Sequence, residues 1–390
     1  MVRIKWMFLL AVLTLVVRTP SSGQDLTLRS AFYDYKLTTV ADGLVNPWSM
    51  AFLPNGDMLI TERPGRLRLI QNGNLLPEPV AGVPEVVAQG QGGLFDVLLH
   101  PDFENNRLIY LSFSKPKSGG TQSTTAVVRA RYENNQLTGL NEIFEAVSRG
   151  GGHYGGRLAF DGNGYIYITA GDRQVPSTGD LQAHPAQDLS NHHGVVVRLH
   201  DDGRIPDDNP FAGQSGTLPE IWSYGHRNPQ GLAIDKNTND VWINEHGPQG
   251  GDELNLVAPG LNYGWPVIGY GVNYSSGLAI HKGTHDKDMK SPNHFWIPSI
   301  ATSGLMIYTG DRFPEWKGNI FVGGMAGQQL ARLTLLGQQI IAEETLVRAQ
   351  GRIRDVREGP DGYIYLAIED RGGAPTSILR MEPLIEERPR

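Results

Sequence analysis

The chain has 390 residues, a formal net charge of −7 and no cysteine. The lack of cysteine excludes disulfide bonds, thiolate nucleophiles and thiolate metal ligands. The acidic balance argues against nucleic acid as a partner, because phosphate binding needs a basic face. The 48 glycines and 25 prolines are typical of a chain with many tight turns between short strands.

The N-terminal segment has the pattern of a secretory signal peptide. Arg3 and Lys5 precede an apolar run over residues 6–17, and a small-residue exit follows. We therefore predict that residues 1–23 are removed on export, that residues 24–390 form a single domain, and that the protein is periplasmic or secreted. An uncleaved anchor is the alternative, but the run is short for a membrane span, so we expect no stable membrane span.

One strand–turn–strand repeat recurs six times along the rest of the chain. Each copy has an alternating apolar strand, a turn containing Gly or Asp, and a second alternating strand. The turns at 54–57 (PNGD) and 161–164 (DGNG) supply residues that tolerate the positive φ of hairpins. The copies span residues 48–62, 93–113, 156–171, 230–245, 303–323 and 353–369.

The repeat predicts an all-β fold, namely a six-bladed β-propeller with four-stranded antiparallel blades. No amphipathic helix of three or more turns stands out in the sequence, and blades packed around an axis explain the repeat better than a sandwich does. Two sandwich domains are the alternative, disfavoured because no Pro/Ser-rich linker divides the chain. Strands near residues 35–40 and 378–381 are expected to close the ring between them.

Polar clusters stand just before or just after the repeats, so loops distant in sequence should meet at one end of the axis. The first, at residues 89–93 (QGQGG), would let backbone approach a ligand, although a plain turn would look the same. The second, at residues 150–157, places His153 between glycine runs. A ring so little shielded by its neighbours suits a general base near pH 7. A surface turn histidine is the other interpretation.

The third cluster, at residues 224–231, contains Arg227 followed by Asn228, a rigid cationic fork beside an amide. That pair suits carboxylate or carbonyl oxygens, although a structural arginine paired with a loop acid would give the same pattern. The fourth cluster, at residues 244–253 and 262–266, combines acids with Gly/Pro turns, which is the hard-oxygen chemistry of calcium. Solvated loop acids are the alternative, and zinc is disfavoured because the histidines lack pair spacing and cysteine is absent.

The fifth cluster opens the last repeat, where strand alternation places Arg352 and Arg354 on one face. Two adjacent cations repel each other unless an anion joins them, so the pair favours a polyanionic ligand. Local pairing with Asp355 or Glu358 is the alternative. No Gly-x-Gly-x-x-Gly follows a strand in a strand–helix–strand context, so a nicotinamide site is not indicated.

Together these clusters resemble the soluble quinoprotein glucose/sorbosone dehydrogenase family, above all its bacterial periplasmic aldose sugar dehydrogenases. The resemblance runs from about residue 43 to residue 370 and is carried, in one shared order, by NPWSMAFLPNG, GQGGLFDVLLHPDF, HYGGRLAFD, IWSYGHRNPQGLA, NEHGPQGGDELN, LNYGWPVIGYGVNY and RIRDVREGPDGY. It implies a six-bladed propeller that holds pyrroloquinoline quinone (PQQ) and Ca²⁺ on its axis. The implied reaction oxidises the C1 hydroxyl of aldose sugars to the lactone, with an electron acceptor that the sequence does not identify.

The resemblance also implies roles for individual residues. His153 is implied as the base that takes the C1 hydroxyl proton while a hydride passes to the quinone, and Arg227 as the cation that favours the charge developing there. Further implied PQQ contacts are Gln91, Asn228, Tyr274, Arg352 and Arg354. Implied calcium ligands are the carbonyls of Gly247 and Pro248 at the cofactor, and the Glu253 side chain with the Tyr263 carbonyl at a second, structural ion.

One position departs from the family pattern, since Ala326 stands where family members carry a lysine facing the cofactor. One cationic contact is therefore missing, which keeps open a second interpretation: a non-catalytic propeller that binds a glycan or a protein partner. A third interpretation, a calcium-dependent lactonase, would need metal-ligating acids on the axis, where Arg, Gln and His stand instead. Contacts to the sugar are expected from the loops at residues 172–188 and 275–294.

Overall fold

The computed structural model of the protein describes residues 27–117 and 122–384. The predicted signal peptide lies outside these residues. The described residues form six antiparallel sheets and one short α-helix, which confirms the predicted all-β fold and its six blades. Within the same ranges, no helix has the length and apolarity that crossing a membrane requires.

Each sheet except the last consists of strands that are consecutive in the chain. The strands β1 (Leu28–Arg29) and β2 (Asp34–Val45) come first and join the last sheet. Blade 1 contains β3 (Pro47–Phe52), β4 (Met58–Glu62), β5 (Arg66–Gln71) and β6 (Asn74–Leu75). Blade 2 contains β7 (Leu94–Leu99), the helix α1 (Phe103–Asn106), β8 (Leu108–Pro116), β9 (Ser123–Glu133) and β10 (Gln136–Glu145).

The remaining blades follow in the same way. Blade 3 contains β11 (Leu158–Phe160), β12 (Tyr165–Ala170), 3₁₀ turns at Leu181–Ala183 and Pro185–Gln187, β13 (Val195–His200) and β14 (Ile221–Tyr224). Blade 4 contains β15 (Pro229–Ile234), β16 (Val241–Glu245), β17 (Asp252–Val257) and β18 (His294–Trp296). Blade 5 contains β19 (Thr302–Ile307), a 3₁₀ turn at Pro314–Trp316, β20 (Ile320–Gly324), β21 (Gln329–Leu336) and β22 (Gln339–Leu346), and blade 6 contains β23 (Arg352–Glu358), β24 (Ile364–Glu369) and β25 (Pro375–Pro383).

Every sequence repeat forms the first two strands of a blade, as predicted. The first strands β3, β7, β11, β15, β19 and β23 contact one another in a closed ring, so the repeats are the inner hairpins around the axis. The loops that precede the first strands therefore lie at one common end. This arrangement brings the polar clusters together.

The ring closes between the two ends of the chain, also as predicted. β2 pairs antiparallel with β25, with Leu37 opposite Met381. Blade 6 nevertheless has five strands where four were predicted, because β1 adds an outer strand beside β2. A tight turn joins β1 to β2. In this turn, the Ser30 hydroxyl donates to the carbonyl of Tyr33 and accepts from its N–H.

The hydrophobic core lies between the blades. Alternate residues of a strand point to opposite faces, so the inner strands bury side chains against both neighbouring blades. In β24, Ile364 and Leu366 pack against blade 5, whereas Tyr365 and Ala367 pack against blade 1. Six such clusters, one for each pair of neighbouring blades, fix the positions of the inner hairpins.

A buried ionic layer crosses the axis between its two ends. Nη1 of Arg157 lies 3.0 Å from Asp355 and 3.5 Å from Asp96. Arg357 donates to the same two carboxylates, at 3.0 Å to Asp355 and 3.1 Å to Asp96. Arg357 lines the cavity at one end, and Arg157 lies 4.1 Å from the ring of Trp48, which lines the cavity at the other. The layer therefore separates the two openings.

Candidate active site

An open cavity of about 760 Å³ lies at the end of the axis where the first strands begin. All six blades contribute to its wall, which confirms that loops distant in sequence converge there. The cavity is lined by every predicted PQQ contact except Arg227, namely Gln91, Asn228, Tyr274, Arg352 and Arg354.

A second cavity of about 460 Å³ adjoins the first. It contains His153, Arg227 and residues 174–178 of the loop that follows β12. Four residues line both cavities: Gln91, His246, Pro248 and Tyr274. The predicted base and the predicted cofactor contacts therefore lie along one continuous opening, and both predicted sugar loops reach it, the later one through Ile280.

His153 is held by Asp172, which the sequence placed in a sugar loop without identifying it as the partner of His153. Nδ1 of His153 lies 2.5 Å from Oδ1 of Asp172, and Oδ2 of Asp172 accepts from Nε1 of Trp265 at 2.7 Å. Although burial favours the neutral acid, the neighbouring His153 lowers the pKa of Asp172. A carboxylate at Nδ1 fixes the ring orientation and leaves Nε2 for a substrate proton.

The expectation that the His153 ring is little shielded was wrong, since this residue is only 6% exposed. Its φ is 42°, and its backbone N–H donates to Oε1 of Gln91 at 2.8 Å, so the loop folds the ring inward. The glycines permit this course: a Cβ on Gly155, where φ is +64°, would lie 2.7 Å from the carbonyl of Thr169. Burial lowers the pKa of His153 despite the opposing carboxylate of Asp172, which favours the neutral form that a base requires.

Arg227 lies between this base and a smaller cavity in blade 4. Its backbone N–H donates to Oε2 of Glu245 at 2.6 Å, and its carbonyl accepts from the N–H of Asp172 at 2.8 Å. Nη1 donates to the carbonyls of Gly247 at 2.7 Å and His246 at 3.1 Å. Nε is buried and has no partner among the described residues. One donor of the guanidinium is therefore unsatisfied in the protein alone.

Arg352 and Arg354 stand side by side in the wall, as strand alternation predicted. Both guanidinium groups donate to Sδ of Met325, at 3.5 Å and 3.1 Å. The Nε of each is buried without a hydrogen bond to the part of the chain that the structure describes. Burial lowers the pKa of Arg354 to about 10 despite Glu369, and neighbouring arginines add to that shift. A thioether is a weak acceptor, so the pair suits the carboxylates of a ligand.

The alternative partners of this arginine pair are engaged elsewhere. Asp355 belongs to the axial ionic layer with Arg157 and Arg357, and Glu358 accepts from Thr309 at the opposite end of the axis. Arg352 has one carboxylate nearby, since its Nε lies 3.6 Å from Glu369. Local pairing of the predicted kind therefore does not account for the two cations.

An aromatic floor beneath the cationic wall was missed by the sequence analysis. Trp48, Phe95 and Tyr154 form a buried cluster that lines the large cavity. The ring of Trp48 lies 4.8 Å from the guanidinium carbon of Arg354 and 4.1 Å from that of Arg157. Aromatic residues at the start of apolar strands look like ordinary core residues in sequence. Only the closed ring places these three at the axis, where their mutually tilted rings form an apolar floor.

The predicted calcium ligands line one small cavity, of about 20 Å³. That volume is about what one water molecule or ion needs. Burial of the carboxyl of Glu253, together with the neighbouring carboxylate of Glu245, raises its pKa well above the usual range. The cavity also reaches Arg227 and is lined by all four predicted residues, namely Gly247, Pro248, Glu253 and Tyr263.

The donor set at this small cavity fits a hard cation better at Glu253 than at Gly247. Within the described ranges, no three His, Asp or Glu side chains are placed to hold a metal ion. An ion would therefore depend on one or two carboxylates completed by carbonyl oxygens, which suits Ca²⁺. The carbonyl of Gly247 already accepts from Arg227 at 2.7 Å, so an ion there would share that oxygen with a guanidinium.

The fold and the site together define a β-propeller with a candidate active site at one end of its axis, where a buried histidine–aspartate pair lies next to an arginine-rich wall. The chain belongs to the glucose/sorbosone dehydrogenase family, whose model matches residues 44–380. This match confirms the family resemblance found in the sequence.

Relatives of known name agree with this assignment. Aldose sugar dehydrogenase YliI of Escherichia coli (strain K12) is 43% identical over 350 residues, which cover 88% of this chain and 91% of that protein. Quinoprotein glucose dehydrogenase B of Acinetobacter calcoaceticus is 32% identical over 329 residues, covering 78% and 66%. The solved PQQ-bound form of aldose sugar dehydrogenase from Streptomyces coelicolor is 28% identical with a TM-score of 0.72, covering 89% of this chain and 98% of that one.

Proposed function

We propose that the protein is a PQQ-dependent dehydrogenase that oxidises the C1 hydroxyl of an aldose to the lactone. The observation that carries this proposal is the continuous opening that His153 shares with Arg227 and the Arg352–Arg354 pair. Oxidation of the hydroxyl releases two electrons and two protons, and PQQ, when bound, would supply the two-electron acceptor that no side chain of this chain can provide.

His153 is the proposed base. Its Nε2 takes the hydroxyl proton of the sugar, while Nδ1 stays hydrogen-bonded to Asp172 at 2.5 Å. The carboxylate stabilises the imidazolium that forms, and it holds the ring in one orientation before the reaction. Burial of the ring disfavours its protonation in advance, which keeps the base ready at neutral pH.

The arginines and the aromatic floor are the proposed holders of PQQ. Arg352 and Arg354 would pair with its carboxylates, Trp48 would lie beneath Arg354 as part of the floor, and Gln91 and Tyr274 would border the ring system. Arg227 and Asn228 would face its carbonyl oxygens, where Arg227 stabilises developing negative charge. Ala326 lines the same cavity and offers no charge there. Arg63 and Arg371 line it as well, and Arg63 contributes to the lowered pKa of Arg354, so the wall has two cations besides the Arg352–Arg354 pair.

Calcium is the second proposed ligand. The carboxyl of Glu253 and the carbonyl of Tyr263 would hold a structural ion in the small cavity of blade 4, and the carbonyls of Gly247 and Pro248 would hold the ion linked to the cofactor. The neighbouring carboxylate of Glu245 supports the first of these assignments, since it adds negative charge at the same cavity. We further propose, from the N-terminal pattern, that the protein works in the periplasm or outside the cell with an electron acceptor other than NAD.

Reconstitution tests the proposal directly. The purified protein is loaded with PQQ and CaCl₂, given a panel of aldoses, and followed by reduction of an artificial dye and by the absorbance of bound PQQ. We expect aldose-dependent dye reduction that disappears without PQQ. If bound PQQ shows no absorbance change with any aldose, the proposed activity is wrong.

The missing lysine at Ala326 favours one competing function, a propeller that binds a glycan or a protein without catalysis. Titration calorimetry with PQQ separates the two possibilities. No heat of binding in the presence of calcium would support the binding module, whereas a dissociation constant in the micromolar range or below would support the dehydrogenase.

A further inference from the structure

One buried carboxylate, Glu245, contacts both the reaction centre and the proposed cation site. It is the last residue of β16 and is 4% exposed. Its Oε2 accepts from the backbone N–H of Arg227 at 2.6 Å, and its Oε1 lies 2.8 Å from Nδ1 of His226. The two carboxylate oxygens of Glu245 therefore hold His226 and Arg227, which lie just before the first strand of blade 4.

The reaction-side contact extends to the base through the peptide of Arg227. The carbonyl of Arg227 accepts from the N–H of Asp172 at 2.8 Å, and Asp172 holds Nδ1 of His153 at 2.5 Å. Arg227 is therefore clamped on one side by Glu245 and on the other by the residue that orients the base. A displacement of Glu245 would move the guanidinium and the base together.

On the cation side, one amide bridges Glu245 and Glu253. Nδ2 of Asn255 donates to Oε1 of Glu245 at 3.0 Å and to Oε2 of Glu253 at 3.3 Å. Glu245 and Glu253 are also directly opposite each other in the pairing of β16 with β17. A cation bound at Glu253 would act on Glu245 across this amide.

We propose that Glu245 is a positioning residue that sets Arg227 for the reaction and couples its position to cation binding at Glu253. The proposal rests on the dehydrogenase function inferred above. It differs from a purely structural role, because a residue that only supports the fold would change stability without changing turnover of the folded enzyme or its affinity for calcium.

The central variant is Glu245→Gln, studied as holoenzyme at saturating PQQ and calcium. We expect kcat to fall by about 10- to 100-fold, the range found for residues that orient ligand-binding groups, with less than about a threefold change in KM for the sugar. Calorimetry with calcium on the protein without PQQ should show an affinity about tenfold weaker or more. Wild-type values for both kcat and calcium affinity would overturn the proposal.

A matched control is available in the neighbouring blade 5. Glu343 in β22, like Glu245, contacts a histidine, His294 at 3.0 Å, and it also accepts from Trp296 at 2.9 Å, but it lies at the outer edge away from both cavities. Glu343→Gln should leave kcat and calcium affinity at wild-type values. Equal losses in the two variants would contradict a specific role for Glu245.

Asn255→Leu separates the two contacts, because it removes the amide and leaves Glu245 bound to Arg227. We expect weaker calcium binding with kcat at saturating calcium within about threefold of wild type. A loss of kcat equal to that of Glu245→Gln would overturn the proposed route through Glu245.

If Glu245→Gln does not fold, Glu245→Asp replaces it. If wild type shows no dehydrogenase activity, the proposed function fails, whereas the calcium titrations still test the coupling.

Discussion

The two ends of the propeller axis are built from the same six inner strands, yet their chemistry differs. Where the first strands end, an open cavity of about 590 Å³ is lined by the last residues of β3, β7, β11, β15 and β19, which are Phe52, Leu99, Phe160, Ile234 and Ile307. Where the first strands begin, the cavity wall carries arginines, amides and the opening to His153. The first end, called the turn end below, combines these apolar strand ends with charges of both signs, including Lys236, Arg357 and Glu358, whereas the second, the cationic end, carries mainly arginines.

The difference follows from the connections at each end. The turn end has the turns inside the repeats, such as the four-residue turn at 161–164, and the connection between β13 and β14. The cationic end has the loops that precede the first strands, and it also has residues 171–194, which follow β12. The repeat therefore builds one scaffold with two openings, and the candidate active site lies where these loops meet.

The largest expected effect is a loss of kcat at the end that contains His153, compared with no loss at the other end. His153→Ala should lower kcat by about 10²–10⁴-fold, because a general base contributes about that much, while PQQ stays bound. Dye reduction gives kcat and calorimetry gives the affinity for PQQ. Lys236→Ala, a change at the turn end, should alter neither. Full activity in His153→Ala would mean that the base has been misassigned.

The layer between the ends should matter for stability. Arg157→Met leaves Asp96 and Asp355 with Arg357 as their one remaining arginine, so the free energy of unfolding should fall by about 3–5 kcal/mol. Denaturant unfolding followed by circular dichroism measures the loss. The exposed pair of Lys317 with Asp311 provides the control, since Lys317→Met should change stability by less than about 1 kcal/mol. Equal losses would show that the axial layer contributes no more to the free energy of unfolding than an exposed ion pair does.

The cationic wall should set the affinity for the cofactor. Arg354→Met should weaken PQQ binding by about 2–5 kcal/mol, or about 30-fold and more, because it removes a buried partner of a ligand charge. Arg380→Met, on β25, the third strand of blade 6 from the axis, removes a side chain paired with Glu382 and should leave PQQ binding unchanged. Calorimetry compares the two, and an unaltered affinity in Arg354→Met would place the cofactor elsewhere.

A smaller effect should appear in the pH dependence. The neutral ring of His153 is the active form, and burial holds its pKa below the usual value. The acidic limb of the kcat/KM profile should therefore have its midpoint below about pH 6.5, with full activity above it. Asp172→Asn should move that midpoint to still lower pH while reducing the rate, because the carboxylate opposes the effect of burial. A midpoint above pH 7 in wild type would contradict this assignment.

Much of the scaffold could be predicted because its signals are local. Hairpin turns and strand alternation lie within single repeats, so the inner strands were found with their neighbours. The polar clusters were found for the same reason, and the repeat itself predicted that they would meet. The fifth strand of blade 6 was missed, since β1 has only two residues, Leu28–Arg29, and no alternating pattern to detect.

Contacts between distant loops were beyond the sequence. Asp172 contacts both His153 and Trp265, but no sequence spacing links Asp172 to Trp265, which lies 93 positions away. The burial of His153 was misjudged for a related reason, since its shielding comes from the left-handed course of its own loop and from Gln91. The carboxylate Glu245 lay within a predicted cluster, yet its two contacts became visible only once strand pairing was known.

The pairing of β2 with β25 has a consequence for how the chain acquires its structure. The ribosome makes the N-terminal part first, but Leu37 finds its blade partner only when Met381 has been made. Blades 1 to 5 can therefore form in order of synthesis, whereas blade 6 must wait for both termini. Contacts of such long sequence separation are slow to form. A chain truncated before β25 should accumulate as an open, aggregation-prone arc rather than as a smaller stable protein.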